Sequence, residues 1–140
     1  MKSKQLEFGN ETEDKVALLF KKKHYWSYIT PKKLGGQPVD IIAISDKGKW
    51  LVDAKHLEET EKSFPFSRIE ANQLTTMQYA RGYAGVQGLG FVICVGNDFD
   101  KFYFLSYDKY LDLSQKGLKS AKIGLLEDFE VVLDNERRNN

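Results

Sequence analysis

The sequence predicts an α/β fold in which a mixed central β-sheet is flanked by helices. Three observations carry this expectation. Two largely apolar stretches, Val39-Asp40-Ile41-Ile42 and Trp50-Leu51-Val52-Asp53-Ala54-Lys55, flank a short polar turn and read as a central hairpin. Apolar residues at helical spacing precede that hairpin (Val16, Leu19, Phe20), and a second helical segment follows it. Two further apolar runs, residues 90–95 and 101–106, supply more strands.

Taken in chain order, the first helix is expected to begin near Asn10. Asn10 as N-cap with Glu13 three residues on is a capping-box pattern. Residues 25–29 read as the first strand, and Pro31-Lys32-Lys33-Leu34-Gly35-Gly36 as a basic, glycine-bearing connection. Residues 56–62 read as a charged loop. Ser67 with Glu70 forms a second capping box, opening a helix that Gly82 and Gly85 end near residue 84. Asn97-Asp98-Phe99-Asp100 reads as a turn, residues 107–116 as a short helix, and residues 127–133 as a last element. The expected order is αβββαββ plus these closing pieces.

At 140 residues the chain is expected to form one domain, residues 1–140, with a frayed polar tail at 135–140. Its 21 basic and 20 acidic residues give no overall charge signature of a nucleic-acid binder. Basic clusters do exist at Lys21-Lys22-Lys23, Lys32-Lys33 and Arg137-Arg138, and a solubilising surface accounts for each of them equally well. The single cysteine, Cys94, excludes an internal disulfide framework and fits a reducing cytoplasm. No apolar run approaches membrane-spanning length.

The chemistry concentrates in the hairpin. A two-residue loop (Lys47-Gly48) and a four-residue loop (Asp46 to Lys49) give the same register, with Ile42 opposite Asp53 and Asp40 opposite Lys55. Cross-strand partners share a face, as do residues two apart on one strand. Asp40, Asp53 and Lys55 then cluster on one face, with the carboxylates as diagonal neighbours roughly 7–8 Å apart at the backbone. Two carboxylates this close repel unless a cation lies between them, and hard oxygen ligands suit Mg²⁺. A solvated polar hairpin end would carry the same residues. The apolar character of both strands weighs against it, because charges placed there are costly unless paired or metal-bound.

With Asp40 followed by Asp53-Ala54-Lys55 at the end of the next strand, the sequence resembles the PD-(D/E)XK nuclease core, and in detail the RecU-type Holliday junction resolvases. The matching features are Gly9-Asn10-Glu11-Thr12-Glu13, Gln37-Pro38 before the aspartate, Ser63-Phe64-Pro65-Phe66, Gln73 with Met77, Gly88-Leu89-Gly90-Phe91-Val92-Ile93 and Phe102-Tyr103-Phe104-Leu105. The resemblance covers residues 9–129.

It implies a restriction-endonuclease-like core and a homodimeric enzyme, dependent on Mg²⁺ or, in its place, Mn²⁺, that cuts four-way DNA junctions symmetrically. Asp40, Asp53, the Ala54 carbonyl and Glu13 would serve as metal ligands. Lys55 would orient water or stabilise charge, and Gln73 would bond the water or a phosphate. Lys32 and Lys33 would contact DNA where the family carries its junction-entering stalk. Three departures stand out: Asp53 replaces the usual Glu, Val39 replaces a polar residue, and the 31–36 connection is short. An endonuclease acting on duplex or flap DNA, and a DNA-binding module without catalysis, are the competing readings.

Overall fold

The computed structural model of the chain describes residues 4–31, 39–83, 86–96, 98 and 101–138, with side chains between residues 11 and 135. Lys32, Lys33, Gln37, Pro38, Gly85 and most of the 97–100 turn lie outside the described residues.

The elements run α1 (Lys4–Lys22), β1 (Trp26–Ile29), β2 (Ile41–Ser45), β3 (Gly48–Leu57), β4 (Ser63–Pro65), α2 (Ala71–Ala80), β5 (Val86–Val95), β6 (Lys101–Ser106), α3 (Tyr107–Gln115), β7 (Ser120–Lys122), β8 (Glu127–Asp128) and α4 (Phe129–Arg138). Six strands form one sheet in the order β1-β2-β3-β5-β6-β8, and β4 pairs with β7 in a small second sheet. The β3–β5 pair is parallel and the other pairs of the main sheet are antiparallel. The α/β expectation with a mixed sheet therefore holds.

Alternation along β3 divides the interior in two. Trp50, Val52 and Ala54 join Val16, Leu19 and Phe20 of α1 and Phe129 and Leu133 of α4 in one core cluster. Leu57 joins Phe91, Ile93 and Leu105, with Met77 of α2 and Tyr107 of α3, in the other. The odd-numbered positions of β3 thus face the side on which α2 and α3 pack. Trp50 lies against Gly88 of the neighbouring strand; a Cβ there would sit 2.0 Å from the indole ring. Only glycine leaves room for the ring at that distance.

Several boundaries differ from expectation, each for a local reason. Helix α1 starts by Lys4, so Asn10 lies inside it instead of capping it. Lys4, Gln5, Leu6 and Glu7 are strong helix formers and carry the helix across Gly9-Asn10. Strand β3 continues through His56 and Leu57, residues expected in a loop, because Leu57 is fully buried. Helix α2 begins at Ala71 with Glu70 as its N-cap. The capping box is Glu70–Gln73, not Ser67–Glu70, and residues 66–68 form a 3-10 turn. Helix α4 extends through residues 135–138, where a frayed tail was expected. The short strands β4, β7 and β8 carried no strand signal of their own.

The hairpin turn also corrects the register. The loop is Asp46-Lys47, Ser45 pairs with Gly48, and Ile41 pairs with Val52. Gly48 was expected inside the loop. It instead opens β3 at φ 148°, where an added Cβ would meet Gln87 Cβ at 2.6 Å. The pairing is shifted by two residues, so every side chain keeps its face while its cross-strand partner changes.

Candidate active site

Continuing the observed register one step past Ile41–Val52 sets Asp40 directly opposite Asp53 instead of diagonal to it. The two are joined by reciprocal hydrogen bonds. The Asp40 backbone N–H donates to Asp53 Oδ1 at 2.9 Å, and the Ala54 N–H donates to Asp40 Oδ2 at 2.9 Å. Asp40 is held from its other side by the Thr30 N–H, which donates to the Asp40 carbonyl at 2.9 Å. Thr30 leaves the end of β1, so three consecutive strands of the sheet fix this corner.

Both carboxylates are withdrawn from water: Asp40 is 7 % exposed and Asp53 is fully buried. Burial chiefly, and then the neighbouring Asp40 charge, push the Asp53 carboxyl well above the usual carboxylate range. Lys55 and the hydrogen bond from Asp40 act in the opposite direction, and Glu70 adds a smaller upward push. Asp53 Oδ2 is buried with no hydrogen-bond partner. An unpartnered acidic oxygen buried beside a second carboxylate is unfavourable alone and suited to a hard cation.

Lys55 lies two residues along from Asp53 on the same face of β3. Its Nζ donates to Gln73 Oε1 at 3.1 Å. The same oxygen accepts the Glu70 backbone N–H at 3.1 Å, closing the α2 capping box. Gln73 is 6 % exposed, so it is not a solvated surface glutamine. It ties the start of α2 to the lysine. Ala54 points its methyl into the α1 core, as expected from alternation.

Glu13 is buried on α1. Among the described residues no three His, Cys, Asp or Glu side chains are assembled to hold a metal ion. The charges acting on Asp53 come from Asp40, Lys55 and Glu70. Glu70, which caps α2 and adds the smallest of these influences, is the neighbour of the pair that the sequence reading did not single out. The only signal for it was the Glu70-to-Gln73 spacing, hidden by the equally good Ser67-to-Glu70 match. His56 faces away from Lys55, and its Nε2 lies 2.9 Å from the Gly96 carbonyl, which makes it structural. Cys94 is a buried core thiol whose pKa burial raises.

The two carboxylates and a backbone carbonyl can hold a divalent cation, and the half-buried Lys55 places a cation beside it. Among solved structures, the fold is similar to that of Hjc, a Holliday junction resolvase from the archaeal hyperthermophile Archaeoglobus fulgidus. The TM-score is 0.58 at 14 % sequence identity, covering 90 % of this chain and 95 % of the archaeal one. The six-stranded mixed sheet with its helices thus shares the fold of that archaeal protein. No family model matches the sequence, and no curated protein matches it. No helix among the described residues is long and apolar enough to cross a membrane.

Proposed function

We propose that this chain is a divalent-metal-dependent endonuclease of the junction-resolvase type, hydrolysing phosphodiester bonds in four-way DNA junctions as a homodimer. The observation that carries this reading is the Asp40–Asp53 pair, locked by reciprocal backbone hydrogen bonds, with Lys55 on the same face. The Hjc-like fold and the RecU-like motifs in the sequence support the same class of reaction. A four-way junction is two-fold symmetric, and two equivalent cuts need two equivalent sites, which is the reason for the dimer.

The donor set fits Mg²⁺ or Mn²⁺, because the orphaned Asp53 oxygen, the Asp40 carboxylate and the Ala54 carbonyl are hard oxygen ligands. A bound divalent ion supplies Lewis acidity to the phosphate and lowers the pKa of water. Glu13 would act outside this pair, through water.

The chain's own residues do the rest. Asp40 and Asp53 are pre-positioned by the sheet, so little reorganisation is needed when a cation binds. Lys55, held by Gln73, places a point charge where negative charge builds up on the phosphate oxygens. Gln73 is a positioning residue for that lysine. Lys32 and Lys33 would contact backbone phosphates and contribute to salt-dependent affinity.

The deciding experiment compares cleavage of a mobile four-way junction, a flap and a linear duplex in Mg²⁺, with Asp53→Asn as the control. Paired symmetric nicks in the junction, absent with the variant, are the expected result. Preferential flap or duplex cutting would reassign the substrate. No cleavage of any of the three, with binding retained, would leave a DNA-binding module.

A further inference from the structure

Among the described residues, the sheet face that carries the candidate site also carries two exposed aromatic rings. Trp26 is 59 % exposed and Tyr28 43 % exposed, although both lie in strand β1. Their rings stack on each other with centroids 6.0 Å apart and planes within 1° of parallel. Ser27 between them donates to the Ala17 carbonyl of α1 at 3.1 Å. Ser27 therefore faces the helix layer, and the two aromatics face the opposite side, which is the side of Asp40, Asp53 and Lys55.

The pairing arranges that side in three rows. Trp26 lies beside Ile44, which lies beside the exposed Lys49. Tyr28 lies beside Ile42, which lies beside Leu51. The next row holds Thr30, Asp40 and Asp53, with the Thr30 N–H bonded to the Asp40 carbonyl. Tyr28 is two strands across and two residues along from Asp53, about 12 Å away at sheet spacings. That separation corresponds to about three or four nucleotides at the spacing of a stacked strand.

We propose, resting on the nuclease reading above, that Trp26 and Tyr28 form a stacking platform for unpaired bases of the strand entering the Asp40–Asp53–Lys55 site. Every base has a π-face, so stacking on aromatic side chains binds single strands with little sequence preference. Two parallel rings at the sheet edge offer such a face, and Lys49, two strands across in the Trp26 row, offers a cation to the backbone. The position also matches the chemistry, since the platform and the carboxylate pair share one continuous surface. A second copy of the chain is the less favoured occupant. Three exposed apolar side chains, Trp26, Tyr28 and Ile44, are few against the roughly 20–30 residues a side of a standard protein interface. The substrate class is then DNA with bases free to unstack, at a junction centre, a nick or a flap.

The test uses the intrinsic fluorescence of the full chain, whose only two tryptophans are Trp26 and Trp50. Trp50 is 2 % exposed, so a change on ligand addition reports Trp26. Oligothymidylate is added in chelator without divalent ions, where no cleavage can occur. Saturable quenching is expected. Trp26→Ala and Tyr28→Ala, each at an exposed edge position, should weaken affinity for single-stranded and flap DNA by roughly 5- to 150-fold. Affinity for blunt duplex should stay within about twofold of the unsubstituted chain.

Absent quenching, or equal weakening on single-stranded and duplex DNA, overturns the platform. So does conversion of a dimer to monomer by either variant with the preference for unpaired DNA unchanged, which would make the face a protein interface. Binding is measured here without metal. A chain that shows the quenching but cuts nothing keeps the platform and loses the nuclease reading. A chain that cuts junctions while both variants bind like the parent does the opposite.

Discussion

Asp40 and Asp53 stand directly opposite each other on adjacent strands, and each carboxylate accepts a backbone N–H from the other's strand at 2.9 Å. This arrangement sets the local charge problem. The backbone donors satisfy one oxygen of each residue and hold the two side chains together. They leave Asp53 Oδ2 buried and unpartnered. The pair is therefore ordered before any cation arrives, at a cost to the metal-free fold.

That cost gives the first prediction. The Asp53 carboxyl is raised above its unperturbed 3.8, mainly by burial and next by Asp40. A carboxyl raised in the folded state adds its stability fully below the unfolded value, and that contribution is lost as pH rises through the folded value. Asp53→Asn should remove this dependence. Its melting temperature without metal should match the parent near pH 4 and exceed it at neutral pH by a few degrees, the scale of about 1–2 kcal/mol in a chain of this length. Scanning calorimetry in chelator across that pH range checks the sign. A variant less stable than the parent at neutral pH would show that the carboxylate is already compensated.

The second prediction concerns chemistry. Asp40→Asn and Asp53→Asn should each abolish cleavage in Mg²⁺ while DNA binding is kept or improved, since each removes a ligand and a repulsive charge. Ca²⁺ should support binding without cleavage. Gel-shift and cleavage assays on the same junction measure both, and full activity of either variant would remove the metal assignment.

Lys55 and Gln73 provide a graded third test. Lys55→Ala should slow single-turnover cleavage by roughly 10²- to 10⁴-fold with little change in junction affinity. Gln73→Ala should slow it by only about 10- to 100-fold, because the lysine remains but loses its tether. Gln73→Ala should also cost stability, since the glutamine closes the α2 capping box. Equal kinetic losses in the two variants would mean that Gln73 itself touches the reacting groups.

A fourth prediction separates DNA affinity from chemistry. Replacing Lys32 and Lys33 together by Ala should weaken junction binding and reduce the salt slope by up to about 2, one phosphate contact for each lysine. Cleavage at saturating protein should be nearly intact. An unchanged salt slope would show that these two lysines make no phosphate contact.

The fold offers a fifth test away from the site. Gly88→Ala places a methyl against the Trp50 ring and should destabilise the chain by about 1–3 kcal/mol. The buried Trp50 emission should shift at the same time, and denaturant titration followed at that wavelength reads both.

What the sequence determined by itself was set by local pattern. Alternation in Trp50-Leu51-Val52-Asp53-Ala54-Lys55 assigns Asp53 and Lys55 to one face and Ala54 to the other, whatever the turn does. Period-two patterning also survives a two-residue shift of register, so the facing of Asp40 was legible although its partner was not. Tertiary structure decided the rest. The glycine at position 48 fits either inside the loop or at the strand start, and crowding against Gln87 from β5, distant in sequence, accompanies the second choice. Ser67–Glu70 and Glu70–Gln73 are equally good capping boxes on paper. The second forms where Gln73 is buried against Lys55, a contact 18 residues apart. Likewise Trp26 and Tyr28 read as ordinary strand aromatics, and their exposure follows from β1 lying at the sheet edge. Side-chain facing is a property of a few consecutive residues. Strand partner, helix cap and exposure depend on which distant segments pack nearby, and only the folded chain brings those together.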